Sequence, residues 1–245
     1  MTLRIEELSM NAWPSLNTNI FDGWVLRFSQ GYTKRANSIN PIYLSTINIE
    51  EKINICEHIY INQGLPVIYK ITNSSHPNNL DGILVTKGYY KQDETSVRLL
   101  NVTNLCDISM IEGLEIEYDF SQEWFESFTS CSNINEKTIV DIMTKMLNNI
   151  IGTKISVKLR VGNDILACGF GVIEDNYIGI FDIIVKQESR GKGYGKAIIQ
   201  GILREAKNKN IKNAYLQVVV GNSIAENLYD KLGFKEIYRY WYRIK

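Results

Sequence analysis

The sequence is poor in the residues that build metal sites and disulfide frameworks. Its 245 residues include only two histidines and four cysteines. The cysteines stand far apart, without a Cys-x-x-Cys spacing: Cys56, Cys106, Cys131 and Cys168. Zinc sites need clustered Cys and His ligands, and small secreted proteins use dense cysteines. We therefore expect no metal site and reduced, mostly buried thiols.

Net charge and long apolar runs are also missing. The 27 acidic residues balance 27 basic residues, so no overall charge draws the protein to nucleic acid or to an anionic membrane. No apolar run approaches the ~20 residues of a membrane span, and no N-terminal stretch has the apolar core of a signal peptide. We expect a cytoplasmic protein with neither a nucleic-acid nor a membrane partner.

What the sequence does contain is an ordered pattern over residues 177–209. Residues 178–185 form an apolar, β-branched run that contains a single carboxylate, Asp182. A glycine-rich turn follows at residues 190–195, and apolar residues then recur at helical spacing between residues 198 and 206. This pattern predicts a buried strand, a glycine turn and an amphipathic helix.

A helix that begins directly after glycines is suited to binding phosphate groups. Its first backbone N–H groups are unpaired and lie at the positive end of the helix dipole, and glycines let successive amides point at one anion. Only three residues separate Gly191 from Gly195, whereas a Walker loop needs four. Lys196 stands where a dinucleotide fingerprint needs its third glycine. The motif that fits is Arg-x-x-Gly-x-Gly, at residues 190–195.

This motif, between a strand and a helix, resembles the acyl-CoA pyrophosphate loop of the GCN5-related N-acetyltransferase (GNAT) superfamily. The following patterns match that superfamily's order: a strand at residues 214–220, then a helix at residues 222–232 with Gly233 as its left-handed C-cap. The resemblance covers roughly residues 112–245. It implies an α+β fold with a mixed, mostly antiparallel sheet flanked by helices, and acetyl-CoA as the acyl donor.

The resemblance also implies which residues bind the donor. The backbone of Ile183, Ile184 and Val185 would pair with the pantetheine arm as a strand does, and Asn222 would lie near it. The pyrophosphate would be held by the glycine turn and the start of the helix: Arg190, Gly191, Lys192, Gly193, Tyr194, Gly195 and Lys196. The alternatives are a solvated helix end for the two lysines and simple N-capping for Asn222.

Two residues are candidates for proton transfer. An amine with a pKa near ~10 is mostly protonated at neutral pH, so a base must free it, and the departing thiolate needs a proton. Asp182 is the one ionisable residue in the apolar strand, which makes it the candidate base or substrate anchor; pairing within the sheet is the alternative. In the resembled superfamily a tyrosine at the position of Tyr229 lies beside the thioester sulfur. Tyr229 is therefore the candidate acid, with a packing role as the alternative.

The first half of the chain repeats the element order of the second, with a helix, a strand, a second helix and then Gly-aromatic. The spacing agrees, because Gly88 lies 38 positions after Glu50 and Gly233 lies 38 positions after Gly195. The first half lacks Arg-x-x-Gly-x-Gly, so it is not expected to hold a pyrophosphate. We predict two tandem lobes: a degenerate GNAT-like lobe over residues 1–108 and a catalytic GNAT domain over residues 109–245.

The sequence thus predicts acetyl-CoA-dependent transfer of an acetyl group directly to the primary amine of a small molecule, such as an amine, a polyamine or an amino-acid-like acceptor. Direct attack is expected because no cysteine lies near the glycine motif, although Cys168 on the preceding strand leaves a covalent route open. The alternatives are protein or peptide N-acetylation and a non-catalytic acyl-CoA-binding regulatory module. Both a monomer and a homodimer are compatible with the sequence.

Overall fold

The computed structural model describes every residue from Met1 to Lys245. The helices are α1 (Thr2–Ala12), α2 (Ile49–Asn62), α3 (Leu80–Thr86), α4 (Gln122–Ser132), α5 (Lys137–Asn148), α6 (Tyr194–Asn208) and α7 (Ser223–Lys231). The strands are β1 (Asn17–Phe21), β2 (Trp24–Phe28), β3 (Ile39–Asn40), β4 (Ile68–Thr72), β5 (Tyr90–Asn101), β6 (Leu114–Glu117), β7 (Thr153–Val161), β8 (Asp164–Glu174), β9 (Tyr177–Val185), β10 (Asn213–Val219) and β11 (Lys235–Ile244). No helix has both the length and the apolar character needed to cross a membrane.

The chain divides into two compact units, each built from discontinuous segments. Unit 1 consists of Met1–Val97, Val218–Ser223 and Glu236–Lys245, and unit 2 consists of Arg98–Gln217 and Ile224–Lys235. In both units antiparallel strand pairs predominate and one pair is parallel. Helices pack on the strands. This confirms the predicted α+β class with a mixed, mostly antiparallel sheet.

In unit 1 the strand order is β1–β2–β3–β4–β11–β5. Strands β3 and β4 are parallel, with Ile39 opposite Tyr69, and α2 lies between them in the chain. The aromatic side chains of Trp24, Tyr60 and Tyr69 are fully buried in the core of this unit. Unit 1 therefore has its own hydrophobic core around a parallel strand pair joined by a helix.

In unit 2 the strand order is β5–β10–β9–β8–β7–β6. Strands β6 to β9 form an antiparallel meander, and β9 and β10 are parallel and joined by α6. Parallel neighbours need a crossover of a dozen or more residues, which the long α6 supplies. The C-terminal end of β9 therefore leads directly into the glycine turn and α6.

Helices cover both faces of the unit 2 sheet. Ile198 and Ile202 of α6 are fully buried on one face, and each such burial contributes about 1.5–3 kcal/mol. Glycines on β8 let α6 approach closely, because an added Cβ would lie 2.9 Å from Ile198 Cγ2 at Gly169 and 2.8 Å from Ile202 Cγ2 at Gly171. On the other face an aromatic cluster joins α4 to the sheet. It consists of Trp124 and Phe128 of α4, Phe170 of β8 and Phe181 of β9.

Candidate active site

A gap between β9 and β10 is the central feature of unit 2. The two strands pair from Tyr177 opposite Asn213 to Ile180 opposite Leu216, and the pairing ends there. Strand β9 nevertheless continues to Val185, which is still paired with β8 on its other edge. The end of β9 thus has no strand partner on the β10 side. Its backbone there is available to an extended ligand that adds itself as a strand.

Asp182 lies in a β-bulge beside this gap. The register of β8 against β9 shifts between Cys168 and Phe170, so that Asp182 and Ile183 together oppose Gly169. The backbone of Asp182 has a left-handed φ of 46°, which is uncommon for a residue other than glycine. A bulge re-aims side chains and takes one residue out of the hydrogen-bonded ladder. Asp182 is therefore not an ordinary alternating strand residue.

The side chains that follow the bulge pack beneath the start of α6. Ile183 and Val185 are half-buried against the core of unit 2. A Cβ added to Gly195 would lie 3.6 Å from Val185 Cγ2 and 3.7 Å from Ile183 Cγ2, so the helix start rests on this strand end. Ile184, between them, is half-buried and pairs with Cys168 of β8. Because the side chains are used for packing, the backbone is the part of these residues that a ligand can contact.

The glycine turn has the backbone conformation that requires glycine. Gly191 and Gly193 have φ values of 78° and 86°, and an added Cβ would meet no atom within 4 Å at either position. Conformation, rather than lack of space, therefore explains both glycines. Arg190 closes the turn onto the strand, because its Nε donates to the Val185 carbonyl oxygen at 3.4 Å.

The N-terminus of α6 keeps its backbone donors available. Its N-cap is Gly193, no side chain caps it, and its first turn carries no acidic residue. The first N–H groups of a helix have no partner within the helix, so here they are free to bind an anion. Lys192 and Lys196 are exposed beside them, whereas the Tyr194 ring packs partly against the core. The site thus presents backbone amides and positive charge.

A cavity of about 550 Å³ borders the same end of α6. Lys196 and Gln200 of α6 line one side, Lys231 of α7 another, and the segment of residues 104–111 a third. Lys207 holds that segment in place by donating to the Leu105 carbonyl oxygen at 2.8 Å and to Asp107 Oδ1 at 2.6 Å. The volume lies in the range of small-molecule sites, so there is room for a ligand along α6 from Lys196 to Leu203, although no residue of the glycine turn itself lines the cavity.

Tyr229 lies on α7, with its ring half-buried in unit 2. Burial raises the pKa of its hydroxyl above the usual value, the positive charge of Arg98 opposes this rise, and the negative charge of Asp182 adds to it. The hydroxyl therefore keeps its proton at neutral pH. The negative charge of Asp182 thus acts on this hydroxyl, and both residues belong to unit 2.

The end of α7 is fixed directly after Tyr229. Gly233 has a φ of 93°, and the Phe234 N–H donates to the Tyr229 carbonyl oxygen at 3.0 Å. This is the hydrogen-bond pattern of a Schellman C-cap and confirms the predicted role of Gly233. The Phe234 ring also meets the Tyr229 ring edge-on, with centroids 6.2 Å apart. The last turn of the helix therefore restrains the tyrosine.

Arg98 of β5 is a functional candidate that the sequence reasoning missed. Its Nη1 donates to Asp230 Oδ1 at 2.9 Å, and its Nη2 lies 3.7 Å from Glu226 Oε1. Both acids are on α7, on either side of Tyr229 in the chain. Alternation over residues 97–99 predicts Arg98 on the polar face of its strand, whereas the side chain is buried, so the local pattern carried no signal for its role.

The remaining candidates are Asn222 and the cysteines. Asn222 is exposed and directly precedes α7, and its N–H donates to the Val219 carbonyl oxygen at 3.2 Å. All four cysteines are free, and three of them are buried, which confirms the expectation of mostly buried thiols. A hydrogen bond with Cys131, together with burial and the charge of Asp182, raises the pKa of the Cys168 thiol. Cys168 is thus a poor source of thiolate.

Comparisons with known proteins agree with this geometry. The family described as "Probable histone acetyltransferase Rv0428c C-terminal" matches residues 3–243. The N-acetyltransferase YobR of Bacillus subtilis (strain 168), itself described as uncharacterized, is 32% identical over 253 residues, covering 99% of this chain and 98% of the relative.

Two solved structures share the fold at low sequence identity. A GCN5-related N-acetyltransferase from Kribbella flavida is 12% identical, with a TM-score of 0.74 over 100% of this chain and 95% of that one. A tandem GNAT protein from the clavulanic acid biosynthesis pathway is 8% identical, with a TM-score of 0.65 over 98% of this chain and 87% of that one. The chain therefore belongs to the family described as "Probable histone acetyltransferase Rv0428c C-terminal" and is an N-acetyltransferase of the GNAT superfamily.

Proposed function

We propose that this enzyme transfers the acetyl group of acetyl-CoA directly to the primary amine of a small molecule. The observation that carries the proposal is the grouping in unit 2 of an unpaired strand end, a bulged carboxylate at Asp182 and a protonated phenol at Tyr229. The strand end would bind the donor, the carboxylate would take a proton from the ammonium, and the phenol would protonate the leaving thiolate.

The donor fits the strand end and the glycine turn. The pantetheine arm would pair with the backbone of Ile183, Ile184 and Val185 on the edge that β10 leaves open. A backbone N–H here would also stabilise negative charge on the thioester oxygen. The uncapped N-terminus of α6 and the residues from Arg190 to Lys196 would hold the pyrophosphate. The cavity that Lys196 lines gives room for the nucleotide end.

The reaction is a direct displacement on the thioester. Asp182, directly or through a water molecule, takes a proton from the bound ammonium. The freed amine nitrogen attacks the carbonyl carbon, the new C–N bond forms and the C–S bond breaks. Tyr229 gives its proton to the thiolate sulfur, and the acylated nitrogen then loses its second proton, which returns to the Tyr229 phenolate through water. Asp182 releases the first proton to solvent, so the products are an acetamide, free CoA and one proton. The raised pKa of the Cys168 thiol argues against an acyl-enzyme on that residue.

The proton transfer from Tyr229 is energetically reasonable. Burial raises the phenol pKa above the usual ~10, and a thiol such as that of cysteine has a pKa near ~8.5. Donation to the thiolate is therefore uphill by about 2 kcal/mol or more. That cost is small beside the 8 kcal/mol or more by which enzymes typically lower a barrier.

The proposal also names the class of molecule that accepts the acetyl group. The single carboxylate of Asp182 can pair with one ammonium group, and we assign that group to a small amine, a polyamine or an amino-acid-like acceptor. The family description names a histone acetyltransferase, and this observation favours a protein acceptor as the second candidate.

An acceptor panel separates the two candidates. Purified enzyme would be given acetyl-CoA with small amines, polyamines, amino acids, and peptides that carry a free N-terminus or lysine. The readouts are free CoA thiol and product mass. We expect the highest kcat/KM for a small amine. A higher kcat/KM for peptides would contradict the small-molecule acceptor and favour protein acetylation. Binding of acetyl-CoA without thiol release for any acceptor would favour a regulatory module.

A labelling experiment tests direct transfer. Enzyme in excess would be mixed with isotopically labelled acetyl-CoA and no acceptor, then denatured and separated from small molecules. We expect no label on the protein. Stable label on a cysteine would contradict the direct mechanism.

For the whole chain we propose two tandem lobes, a degenerate GNAT-like lobe at residues 1–108 and a catalytic domain at residues 109–245. The supporting observation is that each unit contains a parallel strand pair joined by a helix, β3–α2–β4 and β9–α6–β10. A structural neighbour is named as a tandem GNAT protein. Only the second of these helices follows a glycine turn.

A further inference from the structure

The helix that carries Tyr229 has little apolar anchoring of its own. No residue of α7 is buried, whereas seven residues of α6 are buried: Ile198, Ile199, Gly201, Ile202, Leu203, Glu205 and Ala206. The half-buried side chains of Leu228, Tyr229 and Leu232 supply the packing of the α7 segment against the core. The C-cap at Gly233 and the Phe234 ring restrain the last turn of this helix, and a polar contact on the helix face can add to this limited apolar packing.

Arg98 supplies a contact of this kind. Its side chain is only 9% exposed and reaches Asp230 at 2.9 Å and Glu226 at 3.7 Å. Nη1 also lies 3.5 Å from the Glu226 carbonyl oxygen. Glu226 and Asp230 are four residues apart and thus share one face of the helix. A planar guanidinium with fixed donors, held in β5, restrains both the rotation and the height of α7.

We infer that Arg98 is a positioning residue for the acetyl transfer, which acts by holding α7 so that the Tyr229 hydroxyl stays aimed at the reacting sulfur. This inference rests on the proposed role of Tyr229 as the acid. Arg98 itself touches neither substrate. Its effect on the reaction passes through Tyr229: Arg98 holds the helix by Glu226 and Asp230, and its positive charge opposes the rise of the Tyr229 pKa.

A positioning role and a merely stabilising ion pair make different predictions. If Arg98 only stabilised the fold, its loss would lower the melting temperature and would affect turnover equally whatever residue stands at position 229. If Arg98 positions Tyr229, its loss matters only while the phenol is present. Coupling between two substitutions therefore measures the role directly.

The experiment is a double-mutant cycle of R98M and Y229F, with kcat and KM for acetyl-CoA measured in all four proteins. We expect R98M alone to lower kcat by about tenfold to a hundredfold, the size of effect that misplacement of a catalytic group produces. In the Y229F background we expect R98M to lower kcat by less than about twofold, with KM for acetyl-CoA changed by less than about twofold.

Arg160 provides a matched control. It also binds two carboxylates in unit 2, with Nε 2.6 Å from Glu115 Oε1 and Nη2 2.8 Å from Glu123 Oε1, but it lies on β7 and contacts no residue of α7 in these pairs. R160M should leave kcat within about twofold of wild type. The conservative variant R98K keeps the charge but not the fork, and should retain part of the lost turnover.

The outcomes separate this inference from the proposed function. If Y229F turns over at the wild-type rate, the acid assignment fails and the Arg98 inference falls with it. If Y229F is slow but R98M lowers kcat equally in both backgrounds, only the Arg98 inference is overturned. Should R98M not fold, the variant E226A/D230A removes both side-chain acceptors of Arg98 from the α7 side, where Glu226 and Asp230 are partly exposed. Unchanged kcat in that variant would also overturn the inference.

Discussion

Asp182 combines two properties that are rare in a β-strand, a carboxylate and a left-handed φ of 46°. A strained backbone of this kind costs on the order of 1–3 kcal/mol and persists only where the surrounding structure enforces it. Here the bulge opposite Gly169 enforces it. The sequence pointed to Asp182 through its charge. The bulge, which sets the direction of the side chain, depends on the register with β8 and has no local sequence signal.

Replacing Asp182 with asparagine tests the base. Asparagine tolerates left-handed φ and keeps the shape of the side chain, but it cannot accept the ammonium proton. We expect D182N to lower kcat/KM for the acceptor by about a hundredfold, with acetyl-CoA affinity almost unchanged. Asp175 also has positive φ, 52°, so D175N is the matched control. Equal activity of D182N and D175N would contradict the assignment.

Replacing Tyr229 with phenylalanine tests the acid. The ring packing against Phe234 is kept and the proton is lost, so we expect kcat to fall by about a hundredfold without much loss of acetyl-CoA affinity. The control is Y118F, which removes the hydroxyl of an exposed tyrosine that donates to Glu205 at 2.7 Å in the same unit. Wild-type turnover in Y229F would leave the ring with a packing role.

The glycine turn before α6 is expected to set the affinity for acetyl-CoA rather than the turnover rate. Alanine at Gly193 would be forced into left-handed φ, at a cost of about 1–2 kcal/mol, and the turn would shift the amides at the start of α6. We expect G193A to weaken acetyl-CoA binding by about tenfold or more.

Gly162 gives the matched control for this variant. It lies in unit 2, has a φ of 62° and also has no atom within 4 Å of an added Cβ, but it belongs to the turn between β7 and β8. G162A should lose similar stability and keep its affinity for acetyl-CoA in calorimetric titration. Equal affinity of G193A and wild type would show that the turn does not bind the donor.

The elements with strong periodicity could be predicted from the sequence, and those without it could not. The strand, turn and helix at the site match β9, the glycine turn and α6, because alternation and helical spacing are local signals. Strand β11 was not predicted, although its tyrosines alternate at positions 238, 240 and 242. Strand β2 pairs antiparallel with β1 on one edge and with β3 on the other.

At the scale of the molecule, contacts distant in sequence limited the prediction. Arg98 and Asp230 are 132 residues apart, so nothing local in either segment reveals their ion pair. Likewise, Glu236–Lys245 groups with the first residues of the chain in unit 1. The candidate site was found because its main residues are carried by one continuous motif. Arg98 was missed because it lies outside that motif.

Buried tyrosines make the stability of the whole protein sensitive to alkaline pH. Burial raises the pKa of Tyr60, Tyr69 and Tyr242 in the folded state, whereas in the unfolded chain tyrosine titrates near ~10. Above that pH the unfolded chain binds fewer protons than the folded one, so the free energy of unfolding falls as pH rises. These tyrosines contribute their full share to the free energy of unfolding below pH ~10. Above that pH the free energy of unfolding decreases by up to about 1.4 kcal/mol per pH unit for each such tyrosine.

Urea unfolding between neutral and strongly alkaline pH measures this loss. The variant Y69F should weaken the alkaline slope and, because the buried Tyr69 hydroxyl has no hydrogen-bond partner, should stabilise the protein slightly at neutral pH. Y60F is the contrasting variant, since the Tyr60 hydroxyl donates to the Arg27 carbonyl oxygen at 2.9 Å and its loss should destabilise by about 1 kcal/mol. A free energy of unfolding that is flat above pH ~10 would contradict the account.

The most direct test of the account as a whole is calorimetric titration of the purified chain with acetyl-CoA. The glycine turn and the open edge of β9 occur once, in unit 2, and the corresponding helix of unit 1, α2, follows no such turn. We therefore predict saturable binding of one acetyl-CoA per chain. Absence of binding would contradict the assignment of the glycine turn and the open strand edge as the donor site, and two equivalents per chain would contradict the degenerate first lobe.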